Sequence, residues 1–61
     1  MKYTEHDYIE AGYRVEKAKT PSAYTAETQR IRVMLESETI EDQTEARRLI
    51  AQGRQEARSA A

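Results

Sequence analysis

The sequence predicts an all-α protein, a small three-helix arrangement over about residues 4–18, 21–36 and 39–59, all in one domain (residues 1–61). Three observations carry this reading. A threonine stands at each expected helix start, apolar residues between the starts recur at helical spacing, and no window shows the apolar–polar alternation of a half-buried strand. The opening "MKYT" is compatible with a short strand, which is not part of the expected fold.

The helix starts follow from side-chain chemistry. Thr4-Glu5-His6-Asp7 and Thr39-Ile40-Glu41-Asp42 each place an acid three residues after a threonine. In that pattern the hydroxyl and the acid can each accept a hydrogen bond from the other's backbone amide. Thr20 precedes Pro21, the only proline. The proline ring pre-sets φ for a first helical turn, where its missing N–H costs nothing, and threonine is a good cap before it. Proline also disfavours helix at the preceding residue, so the first helix should end near residues 17–19. The second break falls in "ESET", residues 36–39.

Each helix then shows a face. At about 100° per residue, Tyr8, Ala11, Gly12 and Val15 form one stripe of the first helix, widened by Ile9 and Tyr13. In the second, Tyr24, Ile31, Met34 and Leu35 align with Thr28 between them, and Val33 points away. In the third, Ala46, Leu49, Ile50, Gly53, Ala57 and Ala60 align.

The core these faces can build is thin. The chain has 61 residues, with four Ile, two Val, two Leu and neither Phe nor Trp. A chain of this size buries only about 60% of the surface its unfolded form exposes, so stability is marginal and a second copy or a partner is a natural way to complete the core. With no Cys, disulfides and thiolate metal sites are excluded. Net charge is -1, which argues against disorder driven by charge. Nothing at the start resembles a signal peptide, and no segment approaches the roughly 20 apolar residues that span a membrane, so the expected location is the cytoplasm.

Near the end, "QTEARRLIAQGRQEAR" repeats the triplet Glu-Ala-Arg at 45–47 and 56–58. Eleven residues are almost three whole turns, so the triplets sit nearly in register, roughly 16 Å apart. The result is a seam of Ala46, Ile50, Gly53 and Ala57, with Arg47, Arg54 and Arg58 on one border and Glu45 and Glu56 on the other. Small residues let helix backbones approach closely. If two copies paired along this seam, a parallel pairing would set basic border against acidic border, while an antiparallel one would oppose like charges. The alternative is that the seam packs inside its own three-helix arrangement.

The arginine border has three readings: a solvated face near a helix C-terminus, where cations suit the macrodipole; a contact for an acidic protein surface; or a phosphate contact. Glu45 can reach Arg48 at i+3, but Arg54 and Arg58 have no acidic partner one turn away in their own helix. A helix–turn–helix reading is disfavoured, because the third helix would present Glu41, Asp42 and Glu45, just after Glu36 and Glu38, to phosphates. The charge balance is uneven: six basic and nine acidic residues over 1–42 (-3), four basic and two acidic over 43–61 (+2). That asymmetry is either a solvated surface or a field that orients a partner.

No catalytic constellation is visible, no cofactor is implied, and no small-molecule substrate is expected. His6 and Glu10 are one turn apart, but two ligands do not make a zinc site. Tyr3, Tyr8, Tyr13 and Tyr24 all lie in the first 24 residues. Tyr8 and Tyr13 are about 140° apart on a helix and cannot enter the same small core, so at least one is a candidate for surface contact. The expected function is a non-enzymatic interaction module that binds another protein or itself, with Arg47, Arg54, Arg58, Tyr8 and Tyr13 as candidate contacts. The alternatives are a nucleic-acid-binding regulator using the arginine border, and a structural homo-oligomer.

Overall fold

A computed structural model describes residues 1–60 of the chain. Three helices follow one another: α1 (Glu5–Lys17), α2 (Pro21–Glu36) and α3 (Ile40–Ser59). Among the described residues there is no strand, and the opening residues belong to no regular element. The all-α, three-helix architecture expected from the sequence is therefore the observed one, with boundaries moved by at most a residue.

The caps are the expected threonines. Thr4 accepts from the Asp7 amide at 3.1 Å while Asp7 accepts from the Thr4 amide at 2.9 Å, a complete capping box. Thr20 accepts from the Ala23 amide at 3.0 Å, with Pro21 in the first turn. Thr39 accepts from the Asp42 amide at 3.2 Å. Such caps are each worth about 1 kcal/mol, because they satisfy amides that the first helical turn leaves without a partner.

α1 occupies the middle. Its stripe of Tyr8, Ala11, Gly12 and Val15 is buried, as are Ala46, Leu49, Ile50, Gly53 and Ala57 of α3. The packing between α1 and α3 dominates the structure, whereas α2 leans on α1 and touches α3 little. The ends pair like with like: the N-terminal ammonium lies 3.7 Å from Asp42, and Glu16 near the end of α1 meets Arg54 and Arg58 near the end of α3. The two helices therefore run in the same general direction.

Two glycines set how closely they approach. A Cβ built on Gly12 would overlap the Ile50 carbonyl oxygen and come within 2.8 Å of its carbon. One built on Gly53 would overlap the Ile9 carbonyl oxygen and lie 2.9 Å from the Tyr13 nitrogen. At each crossing point backbone rests directly on backbone. The small-residue seam expected as a self-association surface (Ala46, Ile50, Gly53, Ala57) is thus covered by α1 of the same chain. Within the chain the physical reason is that α1 brings small residues of its own, Ala11 and Gly12, to the crossing.

The stripe on α2 is used only at one end. Met34 is buried, and Ile31 and Leu35 pack against the core cluster of Tyr8, Ala11, Met34, Ala46, Leu49 and Ile50. Two turns earlier, Tyr24 on the same stripe is 47% exposed, and every residue from Pro21 to Ala26 is exposed. Val33 is exposed, as its position opposite the stripe requires.

Gly53→Ala tests the crossing. Alanine is the better helix former by about 1 kcal/mol. The added methyl must nevertheless push a helix backbone away, and overpacking of this kind costs about 1–3 kcal/mol or more. Urea unfolding should therefore show Gly53→Ala net destabilised, while Gln55→Ala, exposed on the same helix, stays within about 0.5 kcal/mol of the parent.

Candidate functional site

The sequence nominates two groups of contact residues, the arginine border and the tyrosines, and the structure sorts both. Tyr8 is fully buried (0% exposed), so it is a core residue and not a surface contact. Its ring packs edge-on against Tyr3, with centroids 5.8 Å apart. Its hydroxyl donates to Glu38 Oε2 at 2.6 Å and lies 3.3 Å from the Met34 carbonyl oxygen. Tyr13, about 140° around the helix, is 37% exposed.

Glu38 is one of the five acids that a helix–turn–helix docking would set against phosphates, but it does not face solvent. It is 9% exposed and turned inward from the α2–α3 connection. Its carboxylate accepts from the Lys2 amide at 2.9 and 3.0 Å, from the Tyr3 amide at 3.3 Å and from the Tyr8 hydroxyl. One carboxylate thereby ties the N-terminal segment, α1 and the α2–α3 turn together. The donors explain why the charge is tolerated there. The Tyr8 hydrogen bond first, then the two amides, hold the Glu38 carboxyl below its ordinary range, outweighing the opposing effect of burial. Burial first, then the Glu38 hydrogen bond, pushes the Tyr8 hydroxyl well above its ordinary range.

The arginine border is largely committed within the chain. Glu16 of α1 receives Arg54 Nε at 2.9 Å and Arg58 Nε at 3.1 Å. The acidic partner these two lack in their own helix comes from α1. Arg54 and Arg58 in turn hold the Glu16 carboxyl below its ordinary value. Arg48 pairs with Glu45 at i+3, as the spacing predicts. Among the described residues Arg47 makes no ion pair and is exposed. The three arginines are therefore not a continuous free stripe.

What remains open lies between the C-terminal half of α1 and the start of α2. Tyr13, Arg14, Lys17 and Ala18 form one wall of a shallow groove of about 330 Å³, and Ala23 and Glu27 form the other. Arg14 grips Glu27 with two hydrogen bonds, Nε at 3.0 Å and Nη2 at 3.2 Å, which fixes the spacing of the walls. The Lys17 ammonium lies 5.8 Å from the centroid of the Tyr13 ring, an attractive but weak arrangement at an exposed site. The groove is lined by an aromatic ring and methyl groups and has a cationic rim. Sequence reasoning named Tyr13 but missed the groove, because its second wall is brought in by α2.

Among the described residues no three His, Asp or Glu side chains gather where a metal ion would need them, and no helix is long and apolar enough to cross a membrane. Comparison with known protein families, with curated proteins and with solved structures returns no match.

The Glu38 knot makes stability depend on pH in a defined direction. A carboxyl whose pKa is depressed on folding contributes stability above its unfolded value, here the ordinary 4.5, and loses it as pH falls through the folded value. Asp7, Glu16 and Glu45 are depressed too and act in the same direction. Between about pH 6 and pH 3 the parent should lose stability steadily, and Glu38→Gln should be less stable at pH 6 but show a flatter acid limb. Thermal unfolding followed by circular dichroism across that range checks both.

Proposed function

We propose that this protein is a small non-enzymatic interaction module, an inhibitor, adaptor or regulator type of protein, whose contact face is the α1–α2 groove beside Tyr13. One observation carries the reading: the chain closes its small-residue seam on itself, and its apolar stripe on α2 is left bare at Tyr24, next to an open groove with a half-exposed tyrosine. Exposed tyrosines on a rigid helical frame are common anchors of protein interfaces. The lack of Cys fits a reducing compartment, so a cytoplasmic site of action is part of the proposal.

The commitment of Arg54 and Arg58 to Glu16 favours this reading over nucleic-acid binding. Phosphate would have to compete with a carboxylate already in place. The burial of the seam likewise favours it over assembly through that seam.

The test places a photo-crosslinking phenylalanine analogue at position 13 and, as a control, at exposed Gln55 on α3, in the cells that make the protein. Position 13 should yield a discrete crosslinked protein, foreign or a second copy, which Ala23→Arg abolishes by filling the groove. The same crosslinks from both positions would contradict the reading. Stability should separate the two tyrosines: Tyr8→Ala should cost about 3–5 kcal/mol as a large-to-small core change, enough to unfold a domain this size. Tyr13→Ala should cost well under half of that.

A further inference from the structure

We infer that the groove beside Tyr13 receives the α2–α3 turn of a second copy of this chain, with Ile40 as the apolar knob and Glu41 and Glu36 as the acids that meet Lys17 and Lys19. This rests on the interaction-module reading and names the partner for that same groove.

Internal pairing leaves some charges around the groove without a partner among the described residues. Around the groove, Arg14 is held by Glu27, and Glu16 is held by Arg54 and Arg58. Among the described residues neither Lys17 nor Lys19 has a carboxylate within ion-pair distance. Lys19 stands in the short connection that joins the two walls, and residues 17–26 contain no acid. The rim is therefore cationic beside a surface of aromatic ring and methyl groups. Its complement is an apolar side chain flanked by carboxylates.

The chain itself displays that complement. Ile40 is 82% exposed, the most exposed of its large hydrophobic side chains among the described residues. A β-branched aliphatic in the first position of α3 does nothing for the helix start, which Thr39 already caps. Glu41 follows it directly, and Glu36 ends the preceding helix; both are exposed and neither is in an ion pair among the described residues. Knob and groove lie at different ends of the molecule, since the groove opens where α1 meets the start of α2 and the knob sits where α2 hands over to α3. One copy can therefore fill its groove with one neighbour and offer its knob to another. Such contacts build chains or rings, or close as a two-fold dimer when two copies exchange knobs. A single knob and two ion pairs make a small interface, so the association is weak and salt-sensitive.

Sedimentation equilibrium over a concentration series reaching about 1 mM, at low and high salt, tests this. The parent should associate as concentration rises, less so at high salt. Ile40→Gln and Lys17→Glu, both at exposed positions and checked for folding by circular dichroism, should each remain monomeric at concentrations where the parent associates. An equimolar mixture of the two should stop at the dimer, because only one intact groove meets one intact knob. A parent that stays monomeric throughout overturns the inference and leaves the groove open to a foreign partner. Association that survives Lys17→Glu and Tyr13→Ala alike overturns both the inference and the placing of the contact face beside Tyr13.

Discussion

The close approach of α1 to α3 at Gly12 and Gly53 is the constraint on which the rest of the structure depends. Each glycine leaves room for the carbonyl of the opposite helix, so neither position can accept a side chain without separating the pair. At that separation the alanines on either side become useful core residues. Ala11, Ala46 and Ala57 are nearly or fully buried although each brings only a methyl group. This is how a chain with eight Ile, Val and Leu residues encloses a core at all. Dispersion between closely packed backbones does part of what larger side chains do in a larger domain.

Once α1 is committed to α3, its remaining faces are assigned. The Tyr8 edge points into the core and toward the α2–α3 turn, where Glu38 gathers its hydroxyl and two backbone amides. The Glu16 edge meets the basic border of α3. The Arg14 edge grips α2 through Glu27. A helix of 13 residues thus organises both of its neighbours. That leaves nothing on α1 to cover the first two turns of α2, and it is there that Tyr24 and the groove are open. The interaction surface in the proposed function is a consequence of α1 being shared, with α2 and α3 barely touching.

How much of this was legible in the sequence follows from the range of the interactions. The caps at Thr4, Thr20 and Thr39 and the faces of α1 and α3 are local patterns, and they read directly. The seam of small residues was legible as a close-packing surface, but its occupant was not. A second copy and α1 satisfy the same pattern, and only tertiary structure distinguishes them. Arg54 and Arg58 looked unpartnered because Glu16 lies some 40 residues away along the chain. Glu38 carries no local sign of burial for the same reason: its donors come from residues 2, 3 and 8. The angular separation of Tyr8 and Tyr13 showed that one must face outward. The stripe that Tyr8 shares with Ala11, Gly12 and Val15 favours Tyr8 as the inward one.

The central claim is that the glycine crossing forms within one chain. An isotope-filtered NMR experiment on a mixture of labelled and unlabelled protein tests it most directly, by reading contacts from the Gly53 α-protons to Ile9 and Tyr13. Those contacts should be present in the ordinary spectrum and absent from the filtered one, which registers only contacts between molecules. Their appearance in the filtered spectrum would mean that α3 pairs with α1 of another copy, and the account of how this chain folds would be wrong.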